Sequence, residues 1–148
     1  MNKILFLTAL LTAGAGALSL QQAYKHVANE TREKTFSTVR TDLDNDGDRD
    51  LMVGAECNPG SPCMYYCFQN TEEDYTLAGM VALDKCCFEV LKTQHNGFSD
   101  ILYYSGKDRE RGVLIRYEHS GKEWEVRSAY KGSARLMELT RPLLDEQK

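Results

Sequence analysis

Histidine is scarce in this chain, three among 148 residues, and no two of the three stand in a metal-ligand spacing. His26 lies in a polar leader, His95 beside one turn and His119 beside another. There is no Gly-x-Ser-x-Gly elbow, and the Ser-Gly-Lys strings at Ser105 and Ser120 are common turn chemistry. Glu72, Glu73 and Asp74 read as a solvated turn rather than a general-acid pair. With no catalytic set in view, the expectation is that the protein is not an enzyme. Lysine and arginine number 18 against 22 acidic residues and are scattered rather than gathered on one stripe, which argues against a nucleic-acid partner.

Long apolar runs are missing too. The one candidate, residues 4–11, is too short to span a bilayer. Asn2 and Lys3 before it and Ala15-Gly16-Ala17 after it make residues 1–17 read as a secretory signal. No cysteine follows, so a lipid anchor is not indicated. What remains, about 130 residues, is enough for one domain with its own core, in the periplasm or secreted.

Cysteine is absent from both ends of the chain and concentrated at Cys57, Cys63, Cys67, Cys86 and Cys87. The spacings C-x5-C, C-x3-C and C-C do not match zinc knuckles. In an oxidising compartment these residues are expected to form two disulfides and leave one thiol. Cys57 and Cys63 bracket the turn-rich Asn58-Pro59-Gly60-Ser61-Pro62. Cys67 is expected to join one of Cys86 or Cys87; neighbours on a strand point to opposite faces, so only one of that pair can meet a given partner.

The chain is rich in carboxylates at one place, Asp42-Leu43-Asp44-Asn45-Asp46-Gly47-Asp48-Arg49-Asp50, ahead of the apolar Leu51-Met52-Val53-Gly54. Five carboxylates in nine residues repel one another unless a cation joins them. Asp42, Asp44 and Asp46 place oxygens at alternate positions, Gly47 permits a sharp turn, Asp48 offers its backbone carbonyl and Asp50 returns as a further ligand. An all-oxygen set on a flexible loop suits calcium. It is not an EF-hand, because the twelfth position is Val53 and a strand follows instead of a helix.

Residues 18–35 read as a polar leader or short helix. From 36 to 131 the period is that of strands: 36–39, 51–55, 64–68, 75–83, 88–91, 101–104, 113–117 and 124–127. Residues 132–148 form a C-terminal extension. About eight short strands separated by turns describe an all-β domain. Asn96-Gly97-Phe98-Ser99-Asp100-Ile101-Leu102 lies residue for residue on Asp46-Gly47-Asp48-Arg49-Asp50-Leu51-Met52. Lys92 and Gln94 replace the upstream carboxylates, so this second unit keeps the turn and lacks the cation. Asp100 is expected to cap its turn through backbone N–H groups.

Asp42-x-Asp44-x-Asp46-Gly47-x-x-Asp50 with its trailing apolar strand resembles the calcium loops of FG-GAP/VCBS-type, integrin-like repeats. Tyr75-x-Leu77-x-Gly79, Asn96-Gly97-x-x-Asp100 and Tyr117-x-x-x-Gly121-Lys122-x-Trp124 extend that similarity toward small exported bacterial single-domain relatives. The resemblance implies a compact β-propeller-like or β-sandwich-like domain with one structural Ca2+ and says little about partner; the leading expectation of function is a secreted module that binds another protein. Its sharper form is an inhibitor or immunity protein for a lysozyme-like cell-wall hydrolase. The expected partner-binding surface is the hairpin at residues 117–124, with Tyr117, Ser120, Gly121 and Lys122. A carbohydrate- or peptidoglycan-binding module is the alternative, for which Tyr65, Tyr66, Tyr103 and Tyr104 are the candidate platforms, ahead of a small envelope enzyme. Trp124, inside its strand, is expected in the core.

Overall fold

The computed structural model describes residues 16–58, 61–72, 74–106 and 111–132. Eight strands follow one helix: α1 (Leu20–Thr31), β1 (Phe36–Thr41), β2 (Asp50–Ala55), β3 (Cys63–Thr71), β4 (Asp74–Leu83), β5 (Phe88–His95), β6 (Phe98–Ser105), β7 (Gly112–His119) and β8 (Trp124–Gly132). The expected all-β class holds, strand by strand. Apart from Gly16 and Ala17, the signal expected at 1–17 falls outside the described residues, as does the chain beyond Gly132.

The strands form two four-stranded antiparallel sheets, β1-β2-β3-β4 and β5-β6-β7-β8. Within each sheet sequence neighbours pair, so the links are hairpins, and residues 84–87 cross from one sheet to the other. The sheets pack face to face, sandwich-like, around one shared core: Leu43, Met52, Tyr65, Cys67, Val81 and Leu83 from the first half meet Ile101, Tyr103, Tyr117 and Trp124 from the second. Trp124 is 4% exposed, as its strand position implied, and its indole N–H donates to Ser99 O at 2.9 Å.

The leader is a docked helix. Ser19 and Gln22 form a capping box, with Gln22 N donating to Ser19 Oγ and Ser19 N to Gln22 Oε1. Arg32, at φ 60°, ends it in the left-handed region. Its apolar stripe buries Ala23 and Val27 against Leu51, Val53, Phe68 and Tyr75 on the outer face of the first sheet. This is why β2 is buried along Asp50–Val53 rather than alternating: helix covers one face and the second sheet the other.

The two sheets stack in the same sense. At the 50-residue offset that lays Asp50 on Asp100, Leu102 is the counterpart of Met52, while Ile101 and Tyr103 are those of Leu51 and Val53. The first sheet meets its neighbour with its Met52 face; the second meets it with its Ile101 and Tyr103 face. Leu102 instead joins Leu91, Tyr104 and Leu114 in a separate cluster. A two-fold sandwich would bring equivalent faces together, whereas this arrangement repeats one face order twice.

Candidate functional site

Three loops meet at one pole of the sandwich: residues 42–49 between β1 and β2, 96–97 between β5 and β6, and 120–123 between β7 and β8. They are tied across the seam between the sheets. Ser99 N donates to Leu43 O at 2.7 Å and Gln94 Nε2 to Asp44 O at 2.6 Å, and within the second sheet Asn96 Nδ2 donates to His119 O at 2.6 Å. Leu43 is fully buried in the shared core, which draws the start of the acidic loop inward.

Within that loop Asn45 (φ 59°) and Gly47 (φ 95°) take left-handed backbone, curling the chain so that its carboxylates converge. Asp42, Asp44 and Asp50 each bring an oxygen within 4.8 Å of the others. Asp50, wholly buried, accepts from Leu43 N at 2.6 Å and Asn70 N at 2.7 Å. Asp44 accepts from Gln69 Nε2 at 2.5 Å and Asp42 from Gly47 N at 3.0 Å. The other oxygen of Asp42, Oδ1, is buried with no hydrogen-bond partner. Asp46 and Asp48, the other expected ligands, stand outside the converging group with exposed side chains; Asp46 Oδ1 accepts from Asp48 N at 2.8 Å.

The charge balance of this cluster is unfavourable. Burial pushes the Asp50 carboxyl up to about 6, against the pull of the Asn70 and Leu43 N–H groups. Burial also raises Asp44, assisted by the negative charge of Asp46 and opposed by the Gln69 bond. A hard cation fits this donor set. It would take the orphaned Asp42 oxygen and relieve the repulsion, and the donors are all oxygen, as calcium prefers.

The second unit solves the same problem differently. Asp100 is also fully buried, but it accepts from Thr93 Oγ1 at 2.8 Å and Arg116 NH2 at 2.6 Å, with His95 Nδ1 at 2.7 Å. The expected backbone capping is corrected: side chains hold it, because Thr93 and His95 on β5 and Arg116 on β7 flank it on the neighbouring strands. By register Arg116 pairs with Leu102 as Cys67 pairs with Met52, so the guanidinium stands where the first sheet has a thiol near Asp50. His95, Asp100 and Glu118 also come within 4.8 Å of one another, yet Arg116 already ion-pairs with both carboxylates.

The expected partner surface divides. Ser120, Gly121 and Lys122 are exposed at the turn tip, and Ser120 N and Oγ both donate to Glu123 O. Tyr117 does not belong with them. It is 6% exposed, and its hydroxyl donates to Ala82 O at 2.6 Å, because strand alternation puts its ring on the same face as Ile115, opposite Ile101, in the inter-sheet core. The tip is seated on β4: His119 accepts from Gly121 N through Nδ1, so its Nε2 carries the proton donated to Ala78 O at 2.8 Å. A Cβ on Gly79 (φ 146°) would lie 2.5 Å from Lys122 O. A glycine inside a strand marks such a close approach, which makes Gly79 the legible part of this seat.

The tyrosine platforms fare no better for a glycan. Tyr65, Tyr103 and Tyr104 are buried and Tyr66 is half-buried, packed by its sheet against α1.

At the opposite pole lie the cysteines. Cys57 pairs with Cys63, as expected. Cys67 does not pair with Cys86 or Cys87: those two join each other, and Cys67 is a buried free thiol. The reason is register. Cys63 lies opposite Leu83 at the end of the sheet near residues 84–87, whereas Cys67 lies opposite Gly79, four residues and about 13 Å further along. Among the described residues no helix is long and apolar enough to cross a membrane. No protein-family model, curated protein or solved structure matches the chain.

Proposed function

We propose that this chain is an exported, calcium-stabilised binding module, a short relative of FG-GAP/VCBS-type repeats, that acts on another protein. The observation that carries the reading is the buried, unpartnered Asp42 Oδ1 beside the oxygens of Asp44 and Asp50. The bound ion would supply charge neutralisation and cross-linking rather than chemistry on a substrate. Because Leu43 O and Asp44 O are bonded to Ser99 and Gln94, ordering this loop orders the seam between the sheets. The 120–123 tip shares that pole, so its exposed Lys122 is presented on a stiff support, which lowers the ordering cost of binding.

In its sharper form the partner is a periplasmic cell-wall hydrolase. Lys122 would face the paired carboxylates of its cleft, as an inhibitor or immunity protein requires. Calorimetry with calcium, followed by hydrolase inhibition assays, tests both levels. One calcium per chain is expected, and Lys122→Glu is expected to weaken inhibition at least about tenfold with an unchanged melting temperature. No calcium heat sinks the ion, while inhibition that survives Lys122→Glu sinks the assigned surface.

A further inference from the structure

The bond between Cys86 and Cys87 has no evident structural task. In the chain-entropy view a disulfide stabilises by restricting the unfolded chain, and more so for longer loops. Adjacent residues close the smallest loop available, against six residues of separation for Cys57–Cys63. Yet among the described residues Cys86 and Cys87 sit in the crossover between the two sheets; Cys86 is exposed and Cys87 half-buried, whereas in the other pair Cys57 is exposed but Cys63 is buried. It lines a cleft of about 580 Å3 at the pole away from the acidic loop, together with Cys57, Cys63, Phe36, Glu56 and Lys85.

The backbone around the pair is fixed independently of the S–S bond. Cys87 N donates to Asp84 O at 3.0 Å, Cys86 N to Asp84 Oδ1 at 3.1 Å, and Tyr104 N to Cys87 O at 2.9 Å. Cys87 also packs against the inter-sheet core. Opening the bond therefore leaves the two thiols side by side on a held turn, placed to close again. Exposed disulfides are the labile, exchangeable ones, and buried thiols in apolar surroundings are inert. Cys67 belongs to the second kind: burial raises its thiol far above the ordinary range.

We infer that Cys86–Cys87 is a reversible two-electron thiol–disulfide exchange site, open to a dithiol donor through the cleft. A donor thiolate attacks the exposed Cys86 Sγ. The Cys86–Cys87 bond breaks, and its electron pair leaves on Cys87 Sγ, which takes a proton from water. The donor's second thiolate then attacks the donor sulfur of the mixed disulfide and releases Cys86 as a thiolate that is protonated in turn. The donor is oxidised to its disulfide, and the protein gains two thiols.

The test equilibrates the full chain with graded ratios of reduced to oxidised dithiothreitol, traps thiols with a maleimide and maps them by mass spectrometry, with Trp124 fluorescence and circular dichroism followed in parallel. The expected result is paired labelling of Cys86 and Cys87 at a ratio at least about tenfold lower than Cys57 and Cys63 require. The fold signals should stay native, Cys67 should stay unlabelled, and the bond should re-form when oxidised reagent is restored. Cys86→Ser/Cys87→Ser should remove only this first labelling step and leave the melting temperature unchanged. The inference is overturned if both pairs open together, if Cys86 and Cys87 label only as the chain unfolds, if they label without reductant, or if the double variant melts markedly lower.

Discussion

Asp42 and Asp50 belong to one converging group but should respond to truncation in opposite ways, because only one of them has work to do without a metal. Asp42 makes a single bond from an exposed N–H, that of Gly47, and leaves Oδ1 unpartnered. Asp42→Ala in chelator should therefore change stability by no more than about 1 kcal/mol, one ordinary net hydrogen bond. Asp50 holds two N–H groups from a fully buried position, and its removal leaves both donors unsatisfied. Part of that gain is offset by the desolvation that raises its pKa, so Asp50→Ala should cost about 2–4 kcal/mol in chelator. Calcium at a hundredfold excess over its dissociation constant adds about 2.7 kcal/mol to the wild type, roughly 10 °C in melting temperature for a domain of this size. Both variants should lose that increment. Thermal melts of the three proteins, each in calcium and in chelator, give the full comparison. Superimposable wild-type curves in the two buffers would remove the metal, and an Asp42→Ala protein that keeps the increment would remove Asp42 from the site.

Removing the guanidinium in Arg116→Met leaves the buried Asp100 with only Thr93 and His95, and denaturant unfolding should report a loss of about 3 kcal/mol, partly recovered by adding Asp100→Asn. Calcium-free protein should be most stable on the acid side of this site's titration. Asp50 has a folded pKa of about 6, above its unfolded value, so its contribution is fully present below about pH 4 and is lost as pH rises through about 6; melts across that range in chelator check the sign. In calcium the trend at this site should reverse, because protons compete with the ion, and calorimetry in buffers of different ionisation heat should show proton release on binding below pH 6. Gly79→Ala drives a Cβ into Lys122 O in a backbone conformation that favours glycine, and should lower stability by about 2–3 kcal/mol while unseating the 120–123 tip. A Gly79→Ala protein that melts like the wild type would show that the tip is not seated on β4.

The strands were legible because alternation and turn residues are local signals. The convergence of Asp42, Asp44 and Asp50 was legible because alternate spacing is local too, whereas the outward turn of Asp46 and Asp48 was not. What could not be read depended on register or on partners far along the chain. Five cysteines announced two bonds, but whether Cys67 reaches Cys86 depends on its lying opposite Gly79 rather than Leu83, which no spacing encodes. Tyr117 looked like a hairpin residue from its distance to Gly121, but it lies opposite Ile101 on the face that meets the other sheet. Residues 18–35 read as a leader or short helix, with nothing local to say that it would cover Leu51 and Val53. Asp100 was expected on backbone donors because its strongest partner, Arg116, lies sixteen residues away across a strand pair.

The two sheets offer an internal comparison of how a buried carboxylate at the head of a second strand can be tolerated. Asp50 and Asp100 have the same topological address and the same zero exposure. One is surrounded by further carboxylates and backbone donors, the other by an arginine, a histidine and a threonine. An arginine supplies its charge at any pH and any ion concentration, so the second unit is complete as folded. In the calcium reading proposed above, the first would have its compensating charge only with the ion bound, and its order would then depend on the surroundings. Since the conditional loop is bonded to Ser99 and Gln94 of the unconditional unit, the fixed sheet acts as the template on which the acidic loop is pre-shaped. On that reading, pre-shaping would lower the ordering cost of capturing calcium, and the same bonds would carry the ion's effect across the seam to the second sheet, whose 120–123 tip exposes Lys122.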